Sequence, residues 1–185
     1  IAVSFKESSA SFPKEKVEVT GNMIREEFCQ PKDEVVTKTE GPFRVLVLGG
    51  SQGAHSINMA MVEALQSLSK KKEDLHITHQ TGEVDFERVN KEYKKYKFSS
   101  DIRPFINDIG AQYREASLVI CRAGATTIAE VNACGKMSIL IPFPHAAHNH
   151  QEKNARIIES ANAAELVLDE ELSGTRIAKS IIQAM

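Results

Sequence analysis

The chain has 185 residues, about one domain's worth, and at that size it buries roughly 70% of the surface its unfolded form exposes. Lys and Arg number 23 against 25 Asp and Glu, so the basic excess of a dedicated nucleic-acid binder is missing and no nucleic-acid partner is expected. Hydrophobic residues at 42% with 26% charged residues exclude a disordered chain, and no apolar run nears the ~20 residues of a bilayer-spanning helix. Cys29, Cys121 and Cys134 form no C-x-x-C pair and read as reduced thiols, which together with the composition gives the expectation of a soluble cytosolic domain.

In chain order, residues 1–5 and 17–20 are short strand candidates, followed by Gly21-Asn22 and a polar stretch that ends at the breaker Gly41-Pro42. The compact domain is therefore expected to begin at Phe43. Residues 44–48 form an apolar strand, then Gly49-Gly50-Ser51-Gln52-Gly53, then a helix with Ile57, Met61, Ala64, Leu65 and Leu68 on one face. A strand at 75–79 precedes a Lys- and Glu-rich helix that runs to about Lys97. Further strands are expected at 101–105, 118–121, 137–141 and 165–168, separated by helices near 107–116, 126–134, 150–162 and 175–185. The chain opens without an initiator Met and stops at Met185 inside the helical pattern of Ile177, Ile181 and Ile182, so a piece of a longer protein is expected. Short apolar strands alternating with amphipathic helices predict an α/β fold: a Rossmann-like parallel sheet with helices on both faces. Ligands of such sheets bind beyond the carboxyl ends of the strands, where every motif of this chain falls.

The turn 49–53 joins a strand to a helix. Its glycines let backbone approach a phosphate, and the helix N-terminus offers unpaired N–H groups; the same glycines also serve simple close packing. A P-loop is excluded because no Lys-Ser/Thr follows. A dinucleotide site is disfavoured, since the glycine spacing is wrong and the second strand ends in His79-Gln80, with Glu73 and Asp74 lying before it. The turn also matches G-x-S-x-G, the nucleophile elbow of serine hydrolases, with Ser51 as nucleophile, Glu130 as acid and His145, His148 or His150 as base. Against this, no earlier strand of the repeating unit supplies an oxyanion loop. A second junction, Arg122-Ala123-Gly124-Ala125-Thr126-Thr127, leads into the next helix. There Thr127-x-x-Glu130 reads equally as a capping box or as a carboxylate aimed at two vicinal hydroxyls. The third segment, 142–151, carries three histidines between two prolines and Gln151. It is compatible with a metal site, though no Cys, Asp or Glu completes the set nearby, and better with a loop lining a polar ligand.

Taken together, GGSQGA (49–54), HQTG (79–82), PFI-x-D-I (104–109), CRAGATTIAE (121–130), ACGK (133–136) and IPFPHAAHNHQ (141–151) resemble, in order, the C-terminal half of the MurG family of glycosyltransferases. TGNMIR (20–25) is similar to that family's interdomain segment. The resemblance covers essentially the whole chain. It implies one half of a GT-B glycosyltransferase, with residues 1–42 a remnant of the N-terminal domain and linker and 43–185 the C-terminal donor-binding domain. It further implies binding of UDP-N-acetylglucosamine for transfer, with inversion, to a lipid-linked muramyl-pentapeptide, with no cofactor and no metal in the chemistry. A related GT-B enzyme, a UDP-N-acetylglucosamine 2-epimerase, is the alternative within this architecture.

Carried over by motif, Gly50, Ser51, Gln52 and Gly53 contact the diphosphate with Arg25 assisting. Phe105, Ile106 and Ile109 line the uracil pocket, Ile106 through its backbone. Glu130 holds the ribose, while Arg122, Gly124, Thr126 and Thr127 shape the site and His150 and Gln151 reach sugar hydroxyls. The general base, the acceptor site and the contact with the cytoplasmic face of the membrane are implied to lie in the N-terminal domain. Met23, His55 and His148-Asn149 depart from the family pattern, which usually has a proline, an arginine and Asp-Asp there.

Overall fold

The computed structural model describes residues 1–29 and 41–185; from residue 30 to 40, the polar stretch assigned to a linker lies outside the described residues. Near the N-terminus, β1 (Ala2–Val3) and β2 (Glu18–Val19) form a small parallel pair. Both are shorter than the strands expected at 1–5 and 17–20. The main sheet holds β3 (Phe43–Leu48), β4 (Leu75–Gln80), β5 (Ser99–Arg103), β6 (Leu118–Cys121), β7 (Met137–Leu140) and β8 (Glu165–Leu166), all parallel, in the order β5-β4-β3-β6-β7-β8. Between and after them run α1 (His55–Leu68), α2 (Phe86–Tyr96), α3 (Ile109–Glu115), α4 (Ala125–Ala133), α5 (His150–Ser160) and α6 (Gly174–Ala184).

The central strands β3 and β6 are largely apolar on both faces because both faces are covered. Val45 and Val47 join one core with Ile57, Met61 and Leu65 of α1, Val89 of α2 and Ile177 of α6. Leu46 and Leu48, one residue out of phase, join the other with Tyr113 of α3, Ile128 and Val131 of α4 and Ala155 of α5. Phe28, fully buried, belongs to this second core, so the segment before residue 30 is docked on α3 and α4. The fifth strand starts and ends two residues earlier than expected. Lys97 takes a left-handed conformation (φ 58°) that closes α2, and Pro104, without an N–H, accepts from Gly82 N–H at 3.1 Å but donates nothing to a ladder beyond Arg103.

Strand order decides where a site can lie. The chain moves outward from β3 to β4 to β5 and then returns to lay β6 against the other side of β3. The connections leaving β3 and β6 therefore diverge to opposite faces, and a crevice opens between their carboxyl ends.

Candidate functional site

Two backbone turns border this crevice. After β3, Gly50 and Gly53 hold positive φ values of 83° and 79°, and Gly53 N–H donates to Gly50 O at 3.1 Å. A Cβ at Gly53 would overlap the Thr81 carbonyl, so this turn is pressed against the end of β4. Helix α1 follows with Ala54 at its cap and no side-chain capping bond, and among the described residues the amides of Ser51 and Gln52 take no protein acceptor. That leaves an anion-seeking helix end.

The turn is backed by a buried polar network. Asn58 Nδ2 donates to Thr81 O and to Asp85 Oδ2, both at 2.8 Å, and Asn58 Oδ1 faces His79 Nε2 at 2.9 Å. Asn58 Oδ1 can only accept, so His79 carries its proton on Nε2 and receives the Tyr93 hydroxyl on Nδ1. Burial lowers the His79 pKa to about 3, which keeps the ring neutral. His55 reaches the same Asp85 at 3.0 Å.

After β6, α4 is capped by the extended Gly124 without any side-chain bond, so Thr127-x-x-Glu130 forms no capping box. Thr127 lies within the first turn and Glu130 beyond it. The Glu130 carboxylate is free of local backbone bonding and sits 3.9 Å from Arg25 Nη2. Burial raises its pKa above the ordinary glutamate value, with Arg25 opposing the shift and Glu27 adding to it. The Tyr113 hydroxyl, buried and outside hydrogen-bonding geometry, lies close enough to favour the charged carboxylate slightly. Arg25 also pairs with Glu27 at 2.7 Å and lies over the Phe28 ring at 4.8 Å.

Between the two turns lies a cleft of about 470 Å³. It gathers nine of the residues expected from sequence: Gly50 and Ser51 from the first turn, Arg122 from the second with Thr127 and Glu130 from α4 behind it, Phe105 and Ile106 from the loop after β5 with Ile109 at the start of α3, and Arg25. Four others line it that the motifs did not single out: Leu48, Gln80, Asn107 and Tyr113. In the sequence Gln80 stands at a non-acidic strand end and within the HQTG segment with no role given to it, and Tyr113 has no reading beyond its place in the helix expected near 107–116.

Six expected residues lie outside this lining. Gln52 and Gly53 turn toward the end of β4, with Gln52 O against Gly82. Gly124 serves as the cap of α4, and Thr126 Oγ1 accepts from Asn22 Nδ2 at 3.0 Å. His150 Nδ1 bonds Ala147 O at 2.7 Å, and Gln151 Oε1 accepts from Phe143 N–H at 2.9 Å, so both brace their own loop. Within the lining, two roles change. The Ile106 N–H donates to Gln80 Oε1 at 2.9 Å, which leaves the Ile106 carbonyl as its backbone group for a ligand. Arg122 spends its guanidinium on Asp169, on Ser56 Oγ at 2.8 Å and on Pro142 O at 3.0 Å. It ties α1, the proline–histidine loop and the 169–171 turn together rather than pointing into open space.

The histidines do not converge. The His145 ring lies edge-on to Phe143, His150 is turned onto Ala147, and His148 holds a positive φ of 52°. Among the described residues no group of three or more His, Cys, Asp or Glu is placed to share a metal ion. Ser51 has no histidine partner, and the Glu130 carboxylate faces Arg25, so the hydrolase triad is not assembled.

A family model described as the glycosyltransferase family 28 C-terminal domain matches residues 44–185. The chain belongs to this family. Relatives of the family 28 domain include a protein of Citrifermentans bemidjiense, 47% identical over 185 residues, all of this chain and 52% of that protein. It is named UDP-N-acetylglucosamine--N-acetylmuramyl-(pentapeptide) pyrophosphoryl-undecaprenol N-acetylglucosamine transferase. A protein of the same name from Thermodesulfovibrio yellowstonii is 46% identical, matching 98% of this chain and 50% of its own length. The chain thus spans about half the length of the curated relatives it matches. Acinetobacter baumannii MurG superposes with a TM-score of 0.80 at 28% identity, over all of this chain and 51% of that one. The sheet and its helices are accordingly one half of a GT-B arrangement. A putative UDP-N-acetylglucosamine 2-epimerase from Listeria monocytogenes, at TM-score 0.55 and 12% identity, shares the fold alone over 78% of this chain. No helix of the described residues is long and apolar enough to cross a membrane.

Proposed function

We propose that this chain is the donor-binding half of an inverting glycosyltransferase that moves N-acetylglucosamine from UDP-N-acetylglucosamine to a lipid-linked muramyl-pentapeptide. The observation that carries it is the facing of Glu130, unbound by any capping interaction, and the uncapped turn at Gly50-Ser51 across one cleft at the β3–β6 switch point. A carboxylate accepts from the two vicinal hydroxyls of a ribose. The glycine turn and helix end meet the diphosphate, and Arg25 supplies a cation. As UDP departs, negative charge grows on its β-phosphate, and fixed N–H dipoles stabilise that charge without reorganising. The Ile106 carbonyl and the ring of Phe105, 52% exposed at the cleft, suit a uracil.

In this reading residues 1–42 belong to the linker and the preceding domain, and 43–185 to the donor domain. The general base that takes the acceptor proton comes from the other half, as do the acceptor site and the contact with the cytoplasmic membrane face. The chain alone binds donor and turns nothing over.

Calorimetric titration with UDP, UDP-N-acetylglucosamine and NAD tests this. UDP and the sugar nucleotide bind and NAD does not, and Glu130→Ala loses about 1–3 kcal/mol as the ribose hydroxyls lose their partner. Equal affinity of Glu130→Ala and the unchanged chain for UDP would remove the ribose role, and heat from NAD alone would replace the reading with a dinucleotide site.

A further inference from the structure

Gln80, the last residue of β4, does two things at once. Its Nε2 donates to Gly50 O at 2.8 Å, and its Oε1 accepts from Ile106 N–H at 2.9 Å. One partner is a carbonyl and the other an N–H, so the amide fits in a single orientation. The residue is 6% exposed and lines the cleft, so these bonds are largely shielded from competing water. Gly50 belongs to the turn after β3, and Ile106 to the loop after β5. These loops leave strands on either side of β4, and Gln80 spans the strand between them.

Each bond has a consequence at its own end. Gly50 O also receives the Gly53 N–H, so the turn's first peptide is held by two donors. In a trans peptide the C=O and the following N–H point in opposite senses, so Gln80 fixes the Ser51 N–H directed away from itself. At the other end it occupies the Ile106 N–H and leaves the carbonyl of that residue as the loop's acceptor.

We propose that Gln80 is a positioning residue that clasps the diphosphate turn to the base loop and sets the spacing between them, so that both ends of one nucleoside diphosphate are held together. The proposal rests on the nucleotide reading above. A clasp raises affinity for a ligand that touches both loops more than for one that touches the turn alone, because the ordering of two loops is completed before binding.

The test compares the unchanged chain with Gln80→Leu and Gln80→Glu, titrated with UDP and with pyrophosphate at about pH 8 and about pH 5.5, with melting curves to verify folding. Gln80→Leu removes both bonds and weakens UDP about tenfold at either pH, but pyrophosphate by clearly less. Ionised, the carboxylate of Gln80→Glu accepts from Ile106 but repels Gly50 O. Protonated, it donates there again, and burial raises its pKa toward the lower test pH. Gln80→Glu therefore matches Gln80→Leu at the higher pH and moves back toward the unchanged chain, measured at the same pH, at the lower one. That recovery is internal to one protein and stands even where Gln80→Leu fails to fold. UDP affinities within about twofold of the unchanged chain, equal losses for the two ligands, or no recovery in Gln80→Glu would each overturn the clasp. Failure of the unchanged chain to bind UDP would overturn the nucleotide reading and the clasp with it.

Discussion

Glu130 shows how a local motif can be read in two ways until its neighbours are known. A capping box needs its Ser or Thr at the residue just before the helix. Here Gly124 takes that position, so Thr127 lies inside the first turn and cannot play the part. The carboxylate is left in the cleft, and burial raises its pKa. Because the folded-state pKa lies above the unfolded value, the folded protein binds this proton first. The ionised group therefore costs stability above its folded pKa, and that cost is relieved as pH falls through the raised value. Nucleotide affinity runs the other way, since the protonated acid loses acceptor capacity for the ribose hydroxyls. Acidification from neutrality should weaken UDP binding in the unchanged chain by more than in Glu130→Gln, as read from calorimetric Kd values in a pH series. Parallel profiles would remove Glu130 as the titrating group.

At the scale of elements, the turn between β3 and α1 is fixed by close approach as much as by dihedral angle. Gly50 and Gly53 both hold left-handed backbone, yet a Cβ at Gly50 meets open space while one at Gly53 runs into the Thr81 carbonyl. Gly50→Ala should therefore cost only the conformational strain, about 1–2 kcal/mol. Gly53→Ala should cost more, because the turn must also lift off the end of β4. Denaturant midpoints at constant m-value measure the difference, and reversed ranking would contradict the stated packing. The neutral His79–Asn58 network beneath the turn explains why a histidine can sit buried near the end of β4 without charging. An isolated His79 in sequence gave no hint of its partner 21 residues earlier.

For the whole molecule, the segment before residue 30 is held in place by contacts far away in sequence. Phe28 is fully buried, edge-on to Tyr113 at 5.3 Å, and Arg114 Nη1 donates to Glu27 O at 2.9 Å. These contacts hold Arg25 at the cleft, opposite Glu130. Phe28→Ala should loosen the segment by about 3–5 kcal/mol of local stability. It should also weaken UDP binding without altering the main sheet. Hydrogen exchange checks both halves of this statement: faster exchange confined to the residues around 22–29, with β3 and β6 amides unchanged. Uniform acceleration across the sheet would show that Phe28 supports the whole core instead.

Sequence alone determined the parallel, two-faced sheet, the succession of strands and helices along the chain, and the glycine turns at strand ends. Those properties are written in the period of apolar residues within single elements and in the backbone demands of individual glycines and prolines. It also supplied the family likeness that the match over residues 44–185 bears out. Only the tertiary structure decided that Gln80 joins two loops, that Tyr113 and Glu130 line one cleft, and that Arg122 is committed to Asp169, 47 residues away. Such pairings depend on which strands lie side by side. Strand order is set by burial summed over the whole sheet, and no short window of sequence contains that sum.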